Sequence, residues 1–483
     1  MSHPGGGDPV APSVEDPWVS AGNEVVGGPL GRHAATGRSW WTPVRVLLVL
    51  VTVTFALGMA QKAPCVVGDV SYDGLCYTDI DKLYGSRGFA AGELPYLDDS
   101  GRYRYFEYPV LTGAFVYGAA VVTHTVFGEP QLAGVPADEV WSDPEVQDNI
   151  VPFTAVNAVL LFVCALVAVW ALAKVHGRRP WDAALVAAAP VLALAGLVNW
   201  DLLAVALLAL ALLAWSRGRP GIAGVMVGLG TAAKLYPLFL LGPMLVLCAR
   251  TGNWIPFARA LAGAAIAWLV VNVPVMAINY PGWEAFWSFN SDRGADLGSL
   301  WYAWSLLGHP AASADTVNLV SWVVFGTACL AVAALGLLAP RRPRLPQLAL
   351  LVVIAFLVVN KVYSPQYVLW LLPLAALARP RWRDLLVWQG CEAVYFAAIW
   401  VFLQGDLASA TTDAAPMAYV LAIVVRVAGQ IWLGGLVVRD ILTPWRDPVR
   451  ADGQTDDPAG GVLADAPDRP SRPRVLPAER DFF

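Results

Sequence analysis

Charged residues are scarce in this sequence, and several common catalytic motifs are missing from it. Asp, Glu, Lys and Arg make up 14% of the 483 residues, whereas soluble domains carry roughly 25%. The chain contains no glycine-rich phosphate loop, no G-x-S-x-G turn and no pair of histidines at helical spacing. It also lacks the basic stripe that binds nucleic acid. These absences argue against a nucleotide hydrolase, a zinc hydrolase and a nucleic-acid-binding protein.

Most of the sequence consists of long apolar runs. Hydrophobic residues make up 57% of the chain, and some runs are unbroken, as in 204–215. Such runs recur from Val46 to Val438, and one bilayer crossing takes about 20 of these residues. We therefore expect an all-α integral membrane protein with its membrane domain at 39–444. The polar, Pro-rich segments 1–38 and 445–483 are expected to be disordered cytoplasmic tails.

The distribution of Lys and Arg predicts the topology, because these residues favour the cytoplasmic side. Arg45 opens the first apolar run, so the N-terminus is expected inside and 62–150 outside, as the first extracytoplasmic loop. The basic clusters further along the chain then lie on the cytoplasmic side only if the segment 109–128 does not cross the membrane. We interpret that segment as an interfacial helix. Its polar residues suit a half-wet position, namely Thr112, Tyr117, Thr123, His124 and Thr125. The C-terminus is also expected to be cytoplasmic.

This topology gives about twelve spanning helices. Gly221, Gly224 and Gly228 are expected to let one of them approach a neighbour closely. The predicted spans are 45–61, 151–173, 182–198, 201–215, 220–233, 235–249, 257–274, 317–339, 345–360, 367–378, 384–402 and 417–438.

Two cysteines differ from the others in their surroundings. Cys65 and Cys76 flank a polar stretch directly after the first apolar run, whereas the other four cysteines lie within apolar runs. An extracytoplasmic position permits a disulfide between Cys65 and Cys76. Two free thiols are the alternative.

Several basic residues fall on the disfavoured side of the predicted topology. Simple solvation explains some of them, above all Lys62, Arg102 and Arg104. The others come from separate loops that reach one membrane face, which would suit an anion-binding site. These candidates for phosphate binding are Arg87, Lys234, Arg293 and Lys361.

The first outer loop holds the main candidate for a catalytic acid. Thr78 is a suitable N-cap, with Asp79 and Asp81 in the first turn of the helix that follows. Residues two apart on a helix face different ways, so only one of the two acids should enter a cleft. A single working carboxylate is therefore favoured over a D-x-D metal site, which stays open as the alternative. No cofactor is expected.

Further polar residues beside the apolar runs are candidates for substrate binding, each with a structural alternative. The structural alternative for Glu107 is an acid near the start of the following helix. The structural alternative for Asp201 is the N-cap of the helix that follows a tight turn. Aromatic residues near them would either anchor the membrane interface or stack on a sugar. The remaining candidates are Tyr84, Tyr363 and Gln366.

Five segments in this order resemble glycosyltransferase family 87, in its actinobacterial branch of polyprenol-phosphate-mannose-dependent enzymes. They are YTDIDKLYGSRGFAAGELPY at 77–96, YFEYPVLTG at 105–113, NWD at 199–201, AAKLYP at 232–237 and NKVYSPQY at 360–367. The resemblance implies a GT-C-type helical bundle with interfacial helices in a large first outer loop. It also implies an active site at the extracytoplasmic face of the plasma (inner) membrane.

The resemblance further implies transfer of a hexose, with mannose favoured, from a polyprenyl phosphate donor to an envelope glycolipid or glycan. The family's first-loop acid matches Asp79, with Asp81 as a near neighbour. Single displacement with Asp79 as general base would invert the anomeric configuration. A transporter of lipid-linked sugar and a non-catalytic assembly subunit are the rivals. Only Glu392 and Arg426 are charged well inside helices, where they could pair, so a transport path is less favoured.

Overall fold

The chain folds almost entirely into helices. The computed structural model describes residues 16–22, 41–68, 72, 74–98, 101–405, 417–450 and 456–468. Within these ranges there is no β-strand, so the predicted all-α class is confirmed.

The helices follow one another with short connections. A short helical segment at 17–22 precedes them. They are α1 (Pro43–Val67), α2 (Asp79–Ser86), α3 (Val110–Phe127), α4 (Pro144–Val175), α5 (Ala184–Ala187), α6 (Pro190–Ala195), α7 (Asp201–Ser216), α8 (Pro220–Ala233), α9 (Leu241–Thr251), α10 (Ile255–Ile278), α11 (Tyr280–Asp292), α12 (Leu300–Leu306), α13 (Ala314–Leu338), α14 (Leu345–Val359), α15 (Val368–Ala378), α16 (Trp382–Gln404) and α17 (Met417–Leu442). Single 3-10 turns occur at Val140–Ser142, Pro180–Ala183, Tyr236–Leu240, Pro365–Tyr367, Pro444–Arg446 and Gly461–Leu463.

The length and composition of the helices make this a multi-pass membrane protein. Among the described residues, 7 helices are long and apolar enough to cross a membrane, namely α1, α3, α4, α10, α13, α16 and α17. Shorter apolar helices lie at 201–216, 220–233, 236–251, 345–359 and 365–378. Each predicted span except 182–198 corresponds to a long or a shorter apolar helix. The predicted total of about twelve is therefore not reached by the long helices alone.

The predicted span 182–198 is divided into short pieces. A 3-10 turn at Pro180–Ala183 leads into α5, and α6 begins only at Pro190. Ala189, directly before the proline, is extended at φ −70° and ψ 121°. Proline disfavours the helical conformation in the residue before it, which explains the break.

Helix α3 differs from its expected surroundings. It qualifies as a membrane span by length and composition, and its interfacial position stays a prediction. The half-wet position predicted for its polar residues is wrong for Thr112 and Thr123, which are buried. Tyr117 and His124 are partly exposed, and Thr125 is exposed. Thr112 Oγ1 donates to the carbonyl of Ala233 and Thr123 Oγ1 to that of Ala119. These polar side chains are thus satisfied within the protein.

Parts of both predicted tails are folded against the helices. Asp16 accepts a hydrogen bond from the backbone N–H of Trp382 at 3.0 Å. Asp447 is fully buried and pairs with Arg344 at 2.8 Å. These segments therefore differ from the disordered tails predicted at 1–38 and 445–483. A buried guanidinium at a helix end needs an acid, which the tail supplies. The rest of the two tails lies outside the described residues.

Glycines bring α8 and α10 into direct backbone contact. A Cβ atom on Gly224 would lie 1.9 Å from the carbonyl oxygen of Ala260, and one on Gly228 would lie 2.2 Å from that of Ala264. A Cβ on Gly221 would meet nothing within 4 Å. The close approach predicted for this helix is therefore made by Gly224 and Gly228, as in other small-residue interfaces.

Gly224→Ala is expected to destabilise the protein, whereas Gly221→Ala in the same helix is not. The first substitution forces two backbones apart, and overpacking of this kind costs roughly 1–3 kcal/mol. The second adds a methyl group in open space and favours the helix by about 1 kcal/mol. Thermal unfolding of the two variants in the same detergent measures the difference. Equal melting temperatures would contradict the role of Gly224.

Candidate active site

One cavity of about 530 Å³ gathers most of the predicted site residues. It opens between α2, α11, α13 and the turn at 360–367. Its polar lining includes Asp79, Glu107, Tyr108, Lys234, Arg293, Asn318, Lys361 and Gln366. Its apolar lining includes Phe286, Trp287, Trp322, Phe325, Phe356 and Trp370.

The start of α2 presents Asp79 to this cavity. Thr78 is the N-cap, as its sequence position predicts, and its side chain accepts from the N–H of Ile80. The Thr78 hydroxyl also donates to the carbonyl of Leu197 at 2.7 Å, and Asp79 N–H donates to that of Val198 at 2.8 Å. The first turn of α2 is thereby fixed to the connection between α6 and α7.

Both carboxylate oxygens of Asp79 accept hydrogen bonds. Asn199 Nδ2 donates to Oδ2 at 2.7 Å, and the Tyr77 hydroxyl donates to Oδ1 at 3.0 Å. Burial raises the pKa of Asp79 above its ordinary value, while these two hydrogen bonds and the charge of Lys234 oppose the rise. A raised pKa makes a carboxylate a stronger base for accepting a proton.

Asp81 does not line the cavity, as expected for an acid two residues further along the helix. Its side chain is 2% exposed and lies 3.8 Å from Lys82 Nζ. Burial raises its pKa to about 6, with the charge of Lys82 opposing the rise. Only Asp79 of the two acids lines the cavity.

Lys234 reaches the cavity from the end of α8 and has a buried counter-ion. Its Nζ lies 3.5 Å from Asp201 Oδ2, and the Asp201 carboxylate is fully buried. Asp201 Oδ1 accepts from the indole N–H of Trp370 at 2.6 Å. The N-cap of α7 is Trp200, so the expected capping role of Asp201 is wrong and its carboxylate serves Lys234 instead.

Tyr108 connects Lys234 to Asp79. Lys234 Nζ lies 4.6 Å from the centre of the Tyr108 ring, within range of a cation–π contact. The Tyr108 hydroxyl accepts a hydrogen bond from Asn199 Nδ2 at 2.6 Å, and the same amide group donates to Asp79. The cation and the acid therefore belong to one network.

Arg293 and Lys361 form a second group of cations in the cavity. Arg293 Nε donates to Asp296 at 3.0 Å. Lys361 Nζ donates to Asn318 Oδ1 at 2.6 Å and to the carbonyl of Ser291 at 3.3 Å. Partial burial and the charge of Arg293 lower the pKa of Lys361. Two cations that line the same cavity favour the binding of an anion there.

The lining changes from polar to aromatic along two antiparallel helices. At the cavity end, Asn318 of α13 contacts Lys361, and Ser321 donates to the carbonyl of Val359 at 2.8 Å. One turn further along α13, Phe325 packs on Phe356 of α14 with ring centres 5.5 Å apart. The cavity is thus charged at one end and apolar between the helices.

Several predicted residues lie outside this lining. Arg87 binds both carboxylate oxygens of Glu107, at 2.6 and 2.7 Å, and so orients an acid that does line the cavity. The Tyr84 hydroxyl lies 2.9 Å from His124 Nε2, facing α3. These positions depend on partners remote in sequence, which the residue pattern did not reveal.

Tyr363 is buried between the two charged residues of the helix interior. Its hydroxyl donates to Glu392 at 2.8 Å, and the Arg426 guanidinium lies 3.5 Å from its ring centre. Glu392 therefore contacts the hydroxyl of Tyr363, and Arg426 contacts its ring. The direct pair expected from the sequence is replaced by this three-residue arrangement.

Three further residues of the site have no role that the sequence predicts. Asn199 and Tyr108 belong to the NWD and YFEYP segments, and their polar groups next to apolar runs were the available signal. Trp370 lies inside an apolar run and gave no signal.

The fold and the cavity define a polytopic membrane protein in which two carboxylates and three cations line the same cavity. The model of glycosyltransferase family 87 matches residues 147–360 of the chain. The protein is accordingly a membrane glycosyltransferase. Lys234 and Arg293 lie within the matched residues, whereas Asp79 and Lys361 lie outside them.

No curated protein sequence matches the chain. Among solved structures, the chain is similar to that of ArnT from Cupriavidus metallidurans bound to undecaprenyl phosphate. The two share 14% sequence identity at a TM-score of 0.42, over 84% of this chain and 78% of that one.

Proposed function

We propose that the protein transfers a hexose, with mannose favoured, from a polyprenyl phosphate donor to an acceptor hydroxyl. The acceptor would be an envelope glycolipid or glycan at the extracytoplasmic face of the plasma membrane. The family assignment supports glycosyl transfer. The Lys and Arg clusters beside the other helix ends support a cytoplasmic position for both termini.

The proposal rests on one observation, which is that the lining of a single cavity changes from charged to aromatic side chains. Arg293 and Lys361 suit the phosphate, since both are cations that line the cavity. The aromatic side chains of Phe325 and Phe356 suit the first isoprene units, since they continue the cavity between α13 and α14. Most of α13 is exposed on the protein surface, which supports entry of a lipid from the bilayer.

The reaction would be a single displacement. The acceptor hydroxyl oxygen bonds to the anomeric carbon while the bond from that carbon to the phosphate oxygen breaks. Asp79 takes the hydroxyl proton as general base, and the bonding electron pair leaves with the phosphate. Arg293 and Lys361 stabilise the charge that develops there. Attack from the opposite side converts a β-linked donor into an α-glycoside.

Glu107 and Gln366 are the proposed contacts for sugar hydroxyls. Arg87 holds Glu107 by two hydrogen bonds, which leaves its carboxylate fixed at the cavity wall. Gln366 is 3% exposed and lines the cavity, and its Oε1 atom has no hydrogen-bond partner among the described residues. A buried acceptor atom of this kind is costly unless a ligand hydroxyl satisfies it.

A transfer assay with purified protein in liposomes tests this function. The wild type is incubated with radiolabelled polyprenyl phosphate mannose and an envelope lipid extract, and is expected to form a new labelled product. Lys361→Met is expected to lower the rate by roughly 10–100-fold, because it removes one partly exposed cation from the leaving group. Arg104→Met removes an exposed cation from the first outer loop and is expected to retain the rate.

Two results would contradict the proposal. Label that crosses the liposome membrane but remains on the donor would indicate a transporter. Equal losses in Lys361→Met and Arg104→Met would show that Lys361 acts only through general surface charge.

A further inference from the structure

The last turn of α1 holds the backbone that leads into Asp79. Cys65 and Cys76 form a disulfide, with their Cα atoms 5.6 Å apart. Three residues before Cys65, Lys62 donates from Nζ to the carbonyl of Tyr77 at 2.9 Å. One face of a single helical turn therefore contacts two consecutive residues of the segment 76–79, which we call the tethered segment.

Tyr77 connects the tethered segment to the carboxylate of Asp79. Its hydroxyl donates to Asp79 Oδ1 at 3.0 Å, and its ring packs on Trp400 of α16 with centres 4.9 Å apart. Burial and the neighbouring charge of Asp79 raise the pKa of Tyr77, which keeps the phenol protonated as a donor. The backbone of Tyr77 is thus fixed by Lys62 and its side chain by Trp400.

The burial of Lys62 indicates that its contact with Tyr77 does more than solvate the end of α1. Lys62 is 3% exposed, and its Nζ lies 5.2 Å from the centre of the Phe396 ring. Removing an ammonium group from water is costly unless its surroundings compensate. A lysine that only solvated the end of α1 would remain exposed.

We propose that Lys62, the Cys65–Cys76 disulfide and Tyr77 form a positioning unit that fixes the carboxylate of Asp79 for proton transfer. Lys62 and the disulfide act on the backbone of the tethered segment, and Tyr77 acts on the carboxylate itself. None of the three contributes to the cavity lining. The inference rests on the proposed role of Asp79 as general base.

Loss of the Tyr77 hydroxyl is expected to change the pKa of Asp79 in one direction. A hydrogen bond to an ionised carboxylate stabilises the charged form and lowers its pKa, so Tyr77→Phe raises the pKa of Asp79. The other titratable groups around this carboxylate are those of Lys62, Tyr72, Asp81, Tyr108, Asp201 and Lys234.

The test compares Tyr77→Phe and the double variant Cys65→Ala/Cys76→Ala with the wild type. Tyr280→Phe, at an exposed tyrosine, and Cys329→Ala, at a free cysteine, are the matched controls. In the transfer assay, Tyr77→Phe is expected to lower kcat roughly tenfold with little change in KM for the donor. The acid limb of its kcat/KM profile is expected to move to higher pH. The double variant is expected to lower kcat in the same way, and the controls are expected to match the wild type.

An infrared titration of Asp79 separates this inference from the proposed function. The carboxyl C=O band present in the wild type and missing in Asp79→Asn reports protonation without any turnover. A higher midpoint in both positioning variants supports the unit even if the wild type transfers no mannose. Lower melting temperatures with an unchanged kcat, pH profile and titration midpoint would overturn it, because the residues would then only stabilise the fold.

Discussion

Asp79→Asn is expected to lower the rate of glycosyl transfer by about 10²–10⁴-fold. The substitution keeps the size of the side chain, and the amide oxygen still accepts one hydrogen bond. It removes the only carboxylate of the 79/81 pair that lines the cavity, and an amide cannot take up the proton of the acceptor hydroxyl. The product formed per minute in the liposome assay measures the loss, and the melting temperature verifies that the variant is folded.

Asp81→Asn is the matched control for this experiment. Asp81 lies two residues further along α2 and is buried beside Lys82 instead of facing the cavity. The variant is therefore expected to transfer at close to the wild-type rate. Full activity of Asp79→Asn together with loss in Asp81→Asn would transfer the base assignment from one acid to the other. Full activity in both would remove the general base from the mechanism.

The raised pKa of Asp79 also predicts how transfer depends on pH. Burial raises this pKa above the ordinary aspartate value, and the base acts only in its ionised form. The rate constant kcat/KM is therefore expected to fall as the pH drops through the raised pKa, at a higher pH than an exposed aspartate would require. A profile that stays flat down to the ordinary aspartate range would contradict this assignment.

The sequence predicts those features that depend on neighbouring residues. Thr78 precedes two acids at capping positions, and their opposite orientation follows from helical geometry alone. The class of the fold follows from the length of the apolar runs. By contrast, the break at Ala189 follows from one proline inside an otherwise continuous run, which a count of apolar residues does not detect.

Partners that lie far apart in the chain account for what the sequence did not predict. Arg87 was a candidate for phosphate binding, but Glu107 occupies its guanidinium. Asp201 was a candidate helix cap, but its carboxylate is shared between Lys234 and Trp370. In each case the residue type was informative, whereas its partner was decided by how separate helices pack.

Lys234→Met is expected to destabilise the folded protein by about 3–5 kcal/mol, because it leaves the carboxylate of Asp201 buried without its cation. The Asp201 side chain is fully buried and that of Lys234 is 13% exposed, so water cannot readily replace the ammonium group. Thermal unfolding measures the effect. Lys82→Met breaks the 3.8 Å contact with Asp81 at a lysine that is 32% exposed. It is expected to cost no more than about 1 kcal/mol, as for surface pairs.

The double variant Asp201→Asn/Lys234→Met separates the charge pair from the chemistry. It removes both charges, keeps an oxygen that accepts from Trp370, and is expected to recover most of the lost stability. Transfer is expected to remain impaired, because Lys234 also contacts Tyr108 and its charge favours the ionised form of Asp79. Recovery of both stability and transfer would restrict Lys234 to neutralising Asp201. Failure to recover stability would instead show that the 3.5 Å contact is not the reason for the burial of Asp201.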